Sequence, residues 1–250
     1  MAPQFGSTSD PNASFFPRPE GPARSLGALV ALSASRAGGR RAVSAVTTLL
    51  LLSGVGMFAF PAATDVLNRY QQRHVKLDLG SPGFQELYQL HHVPVGKGLT
   101  RLVINNSRVS VNVVVVQGTT PAALDAGAGH YTTTPYPCDQ GNVGIAGHRT
   151  TYGRPFNKID EMKAGDTVDL ITPFARCTYE VVPPFSGHAN PWIVLPNDYG
   201  VVSQDGVLGS GHWLTLTSCH PLGSDSHRIV LRLRLVKQSQ IDRPVKVSST

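Results

Sequence analysis

Three side chains in this sequence could share one reaction. Cys219 ends the run Trp213-Leu-Thr-Leu-Thr-Ser-Cys219, His148 ends Asn142-Val-Gly-Ile-Ala-Gly-His148, and Arg228 opens Arg228-Ile-Val-Leu-Arg-Leu-Arg-Leu235. A thiolate needs a nearby cation or base to form near neutral pH, and an oxyanion that develops on a carbonyl needs a fixed donor. A thiol, an imidazole and a guanidinium can fill the roles of nucleophile, proton carrier and oxyanion donor.

The elements that must position them read as strands. All three runs are rich in Leu, Ile, Val and Thr or alternate strictly. In the first, Leu214 and Leu216 share one face while Thr215, Thr217 and Cys219 share the other. In the last, Ile229, Leu231, Leu233 and Leu235 form an apolar face, with Arg228, Arg232 and Arg234 opposite. Val143 and Ile145 likewise oppose Ala146 and His148. If the apolar faces are core, Cys219, His148 and Arg228 emerge together on the outer wall of a sheet. The small residues Gly144, Ala146 and Gly147 are expected to leave open ground beside the histidine. A structural cysteine would more often lie on the buried face. His220 and His227 flank the loop between the last two strands and are rivals to His148. His220 follows Cys219 directly, however, and alternation turns it to the other side. Arg228 stands out from Arg232 and Arg234, read as solvated barrel arginines, by lying level with Cys219.

These residues resemble the signatures of a known family. Gly147-His-Arg-Thr150, Thr215-Leu-Thr-Ser-Cys219 and the downstream Arg228 are similar to the motifs of sortases, the cysteine transpeptidases of Gram-positive cell surfaces, in the same order and strand context. The similarity runs from about Leu99 to Leu235. Gly127-Ala-Gly-His-Tyr131, the stretch from Gly141 to Phe156 and Ala164-Gly-Asp166 look most like class E, the housekeeping type of high-GC actinobacteria. The resemblance implies an all-β, eight-stranded barrel with short helices, and a Cys219–His148–Arg228 catalytic set. It further implies that Tyr131, Thr217 and Ser218 contact the substrate. Ser218 departs from the family's threonine; it keeps the hydroxyl and loses a methyl, which would alter substrate packing rather than chemistry. A Tyr131 that merely packs against a loop is the alternative.

The bulk properties fit this reading. A chain of 250 residues holds one domain of about 140 residues plus appendages. The 25 glycines and 19 prolines favour turns and short strands. A net charge of +6 on scattered arginines lacks the basic stripe with interleaved aromatics that nucleic acid would want. Three cysteines are an odd number, which outside the cytoplasm suits Cys219 as the free thiol with Cys138 and Cys177 as a disulfide. Two separate free thiols are the alternative. No close ligand pairs suggest zinc, and Asp125, Asp139, Asp198 and Asp205 are too scattered for a calcium loop. The implied chemistry requires no cofactor.

In chain order, residues 1–41 read as a disordered cytoplasmic tail without apolar periodicity. Residues 42–63 carry no charge, which suffices for a transmembrane helix. Arg36, Arg40 and Arg41 just before it predict a single-pass anchor in the cell membrane, N-terminus cytoplasmic and catalytic domain extracellular. A cleaved signal peptide is the competing reading, though the region before the apolar stretch is long for one. Residues 64–98 read as an extracytoplasmic stalk, residues 99–237 as the catalytic domain, and residues 238–250 as a mobile tail. Thr120 before Pro121 is a helix N-cap, Pro155 to Met162 suggests a short helix, and Thr167 to Val182 a hairpin.

The expected activity is cleavage of Leu-Pro-x-Thr-Gly or Leu-Ala-x-Thr-Gly sorting signals between Thr and Gly. The protein partner would pass through a thioacyl enzyme to an amine of a peptidoglycan precursor, with the membrane as a further partner. Three rivals stay open: a pilus-type sortase using a protein lysine, a hydrolytic cysteine peptidase, and a membrane-tethered binding barrel with an inert cysteine. Papain-like peptidases place the cysteine at a helix N-terminus, against the strand reading of Trp213 to Cys219.

Overall fold

The computed structural model describes residues 37–75, 77–184, 187–203 and 210–241. The expected N-terminal tail falls almost wholly outside them, as does most of the segment after Gln240. The chain divides into two compact units after Met57. Helix α1, Ala37–His74, crosses that division. Among the described residues it is one helix long and apolar enough to cross a membrane, and its apolar side chains from Val46 to Phe60 are exposed.

The second unit is a β-barrel. Its strands are β1 (Gly98–Asn105), β2 (Ser110–Gln117), β3 (Ala128–His130), β4 (Gly141–Ala146), β5 (Thr167–Ile171), β6 (Ala175–Val181), β7 (Trp192–Val194), β8 (His212–His220) and β9 (His227–Gln240). They lie in the order β6-β5-β1-β2-β3-β4-β8-β9-β7, and a β6–β9 pairing closes the first eight into the barrel. Strand β9 is long enough to serve three neighbours: Arg228 to Val230 pair with β7, its whole first half with β8, and Leu233 to Gln240 with β6. It therefore continues past residue 237, where the folded domain was expected to stop. Most neighbours run antiparallel, but β2–β3 and β4–β8 are parallel. Helix α3 (Pro121–Ala126) makes the β2–β3 crossover, capped by the Thr120 hydroxyl, which accepts from the Ala123 N–H at 3.3 Å.

The core is built as strand alternation requires. Val143, Ile145, Leu214, Leu216, Leu231 and Leu233 are fully buried in one cluster with Leu102, Val115, Leu170 and Tyr179. Burying such side chains contributes about 1.5–3 kcal/mol each. The opposite face is less exposed than alternation alone suggests. Thr215, Thr217 and Arg232 are buried on it.

Residues 64–98, expected as a stalk, pack on the barrel instead. Helix α2 (Pro82–Gln89) sets Tyr88 with Val93, Leu99 and Tyr136 in a second apolar cluster, the two tyrosine rings 5.3 Å apart. The Tyr88 hydroxyl donates to the Pro137 carbonyl at 2.9 Å. The helix expected over Pro155 to Met162 shrinks to a single 3-10 turn, Ile159–Glu161.

Candidate active site

The site forms where β4, β8 and β9 end together. Cys219 lies directly across from Arg228 in the antiparallel β8–β9 register. On the other side of β8, Ala146 pairs with Thr217, and the Gly147 N–H continues the ladder to the Thr217 carbonyl at 3.1 Å. Carried two residues further, this parallel register brings His148 level with Cys219. The thiol is free and partly exposed, and His148 and Arg228 are half-buried. Three neighbouring strand ends thus carry thiol, imidazole and guanidinium side by side.

Each partner has identifiable support. The His148 ring lies 5.1 Å from that of Tyr152, and its Nε2 is 3.5 Å from Asp125 Oδ1 at the end of α3. Arg149, only 3 % exposed, threads beneath. Its guanidinium pairs with Asp160 at 2.7 Å and donates to His220 Nδ1 at 3.0 Å, and it reaches the Cys219 carbonyl at 3.5 Å. His220 does face away from the thiol, and Arg149 ties the segment after His148 to the end of β8. Arg228 Nη1 donates to the carbonyls of Asp225 at 2.8 Å and His227 at 2.9 Å, so its head rests on the β8–β9 turn in this state.

Tyr131 completes the group. Its hydroxyl and that of Thr217 are 2.9 Å apart. Burial pushes the Tyr131 phenol up, opposed by the Thr217 hydrogen bond and the positive charge of Arg228. It therefore stays protonated and can donate. The open ground expected beside His148 is filled: a Cβ on Gly144 would lie 2.9 Å from the Tyr131 ring, and one on Gly147 would lie 2.7 Å from Phe156. These glycines admit aromatic rings, not solvent.

Ser218 is a correction. It lies on the face of β8 opposite Cys219, 3 % exposed, with its hydroxyl donating to the Gly147 carbonyl at 2.7 Å. Strand alternation dictates this, and the residue braces β8 against β4 instead of lining a groove. Arg232 is a second correction, since it is buried rather than solvated. It donates to the Val201 carbonyl at 3.0 Å and lies 5.4 Å from the Trp192 ring centroid, and burial lowers its pKa to about 10. The β7 segment covers this side of β9, a contact that the periodicity of β9 does not encode. Cys138 and Cys177 are joined in a disulfide with Cα atoms 5.8 Å apart, and Cys219 is the free thiol.

His130, beside Tyr131, was not singled out from the sequence. It is fully buried, with Nε2 2.8 Å from the Pro135 carbonyl and 3.1 Å from the Thr134 hydroxyl, and Nδ1 2.7 Å from Gln117 Oε1. Burial lowers its pKa to about 4. The ring pins the start of the Tyr131 turn. Its short strand, with one glycine, offers too little pattern to reveal that.

Residues 104–236 match the sortase domain family. Among known proteins, the chain is 31 % identical over 140 residues to the Streptomyces coelicolor sortase SrtE2, covering 52 % of this chain and 53 % of that protein. It is 30 % identical over 152 residues to SrtE1 of the same organism, covering 57 % and 42 %. The chain thus spans about half the length of the curated relatives it matches. Among solved structures, sortase E from Streptomyces avermitilis superposes with a TM-score of 0.51 at 30 % identity, covering 59 % of this chain and 93 % of that one. The SrtF sortase from Corynebacterium diphtheriae gives a TM-score of 0.54 at 24 % identity over 61 % of this chain and 91 % of that one, a likeness of fold.

Proposed function

Because the chain belongs to the sortase family, we propose that it is a cysteine transpeptidase of the class E type, held at the membrane by α1 with its barrel outside the cell. The observation that carries this reading is the free, half-exposed Cys219 directly across from Arg228, at the level of His148.

In the proposed reaction the Cys219 thiolate attacks the Thr carbonyl of a Leu-Pro-x-Thr-Gly or Leu-Ala-x-Thr-Gly signal. Arg228, released from the β8–β9 turn, donates to the resulting oxyanion and to the substrate backbone. As the Thr–Gly C–N bond breaks, His148 gives its proton to the departing glycine amine, leaving a thioester on Cys219. An incoming amine, from a peptidoglycan precursor, then attacks that carbonyl. His148 takes the amine's proton, the new amide forms, and Cys219 leaves as thiolate. No net proton or electron is consumed, so the chain's own groups suffice. Tyr131, half-buried and braced by the buried Thr217 hydroxyl, would form the wall against which the residues before Thr pack, while Thr217, expected to touch the substrate, supports that wall from behind.

The test uses the full chain in detergent, with quenched peptides carrying the proline and alanine signals. Each is run with and without an added amine, beside Cys219→Ala. Cleavage at Thr–Gly and an amine-dependent product, both lost in the mutant, are expected. Cleavage that never yields a ligated product under any amine would sink the transpeptidase reading in favour of a hydrolase. Silence of folded wild type and mutant alike would favour the binding barrel.

A further inference from the structure

Helix α1 continues beyond its apolar stretch to His74. Most side chains of this extension are exposed, but Asp65 and Asn68 are 7 % and 5 % exposed and Gln72 is half-buried. Spacings of three and four put them on one face of the helix. All three are polar, and a buried polar group left unpaired costs about 1–3 kcal/mol. Their partners therefore say what this face is for.

Those partners lie in two loops and on one strand. Asn68 Nδ2 donates to the Asp125 carbonyl at 2.8 Å, and Gln72 Nε2 donates to the Ala126 carbonyl. These belong to the last turn of α3, whose carbonyls have no donor within the helix. Gln72 Oε1 also accepts from the Val114 N–H of β2 at 2.9 Å. Asp65 Oδ1 accepts from the Gly153 N–H at 2.9 Å, while Oδ2 pairs with Arg154 at 2.7 Å. Both loops then meet His148. Asp125 brings its carboxylate to 3.5 Å from Nε2, and Tyr152, next to Gly153, lays its ring on the imidazole.

The close approach depends on two glycines. Gly153 sits at φ +77°, and a Cβ there would fall 2.2 Å from Asn68 Oδ1. A Cβ on Gly127 would fall 2.2 Å from Gln72 Nε2 and 2.6 Å from the Val114 carbonyl. A side chain at either position would push the helix face away, at 127 against the Val114 carbonyl and at 153 against Asn68.

We propose that Asp65, Asn68 and Gln72 are positioning residues for His148. The helix segment just past the apolar stretch grips the two loops that carry Asp125 and Tyr152, and so fixes the imidazole relative to Cys219. This deepens the transpeptidase reading and rests on it for the role of His148. The helix segment that follows the apolar stretch thereby becomes part of the device that holds the proton carrier.

The test compares full-length Asp65→Ala, Asp65→Asn, Asn68→Ala and Gln72→Leu with wild type in lipid nanodiscs. The alanine and leucine variants should lose about tenfold in kcat, the scale of a sub-ångström misplacement, with KM within about twofold because the substrate wall is untouched. Asp65→Asn should recover most of the rate, since its Oδ1 still accepts from Gly153. Gln72→Leu keeps the bulk and covers the case of an alanine variant that does not fold. A second readout needs no turnover: with histidines isotope-labelled and the peak assigned by His148→Gln, the His148 Hε1 resonance should move as the Tyr152 ring leaves it. Wild-type kcat in every variant, Asp65→Asn no better than Asp65→Ala, or an unmoved resonance would overturn the proposal. A wild type that neither cleaves nor ligates would overturn the transpeptidase reading instead, and the resonance would still decide the clamp.

Discussion

Removing the Cys138–Cys177 bond has a calculable cost. The two residues are 39 apart in sequence, and closing a loop of that size in the unfolded chain lowers its entropy enough to stabilise the native state by about 4 kcal/mol. Part of this is returned on cleavage. Cys138 is held at φ +76°, in the left-handed region, and a residue freed to leave it recovers about 1 kcal/mol. The net loss is then about 3 kcal/mol, or about 9 °C in Tm for a folded unit of this size. The assay is urea unfolding of Cys138→Ala/Cys177→Ala against its parent, both in a Cys219→Ala background so that no third thiol can exchange. A reductant added to the parent should reproduce the double mutant. The bond lies in the segment that leads from Tyr131 to β4, with the Cys138 N–H on the Tyr179 hydroxyl at 3.3 Å and its carbonyl accepting from His212 at 3.2 Å. A loss below about 1 kcal/mol would refute the loop-entropy reasoning.

Two other perturbations probe the Tyr131 turn. His130 has a folded pKa of about 4 against about 6.5 unfolded, so above pH 6.5 it contributes nothing to the pH dependence. Below that the unfolded chain takes up the proton and the folded one does not, so about 3 kcal/mol is lost between pH 6.5 and 4. Urea midpoints at pH 7, 5.5 and 4.5 should fall less steeply in His130→Gln than in wild type, and parallel profiles would refute the assignment. Tyr131→Phe leaves the Thr217 hydroxyl, 3 % exposed, without its partner at 2.9 Å. The cost of about 1–2 kcal/mol should appear as a lower unfolding free energy in urea, with an unchanged value counting against that hydrogen bond.

Much of the site was legible because strand alternation is local. The leucine faces of Trp213 to Cys219 and Arg228 to Leu235 fix the inside of the barrel, and by exclusion turn the thiol and the arginines outward. The helix cap at Thr120 and the Thr167 to Val182 hairpin are equally local, one resting on a side-chain hydroxyl and the other on a turn. Alternation also contradicts one expectation drawn from motif resemblance. The parity that turns Cys219 outward turns Ser218 inward, onto the Gly147 carbonyl.

What covers a face is not local, and there the sequence was silent. Gly144 and Gly147 read as open ground, yet Tyr131 and Phe156 fill it from segments 13 and 9 residues away in sequence. Arg232 has the same periodicity as Arg234, but only Arg232 lies under the β7 segment. Asp65, Asn68 and Gln72 look like the solvated face of a helix leaving a membrane. They are buried because segments some 50 to 90 residues away fold onto them, and those segments carry the groups around His148. The sequence by itself determined which residues could do the chemistry and which way their strands face. Only the tertiary structure decided what packs around them, because period-two and period-3.6 patterns record a chain's own geometry while burial depends on surfaces that distant segments supply.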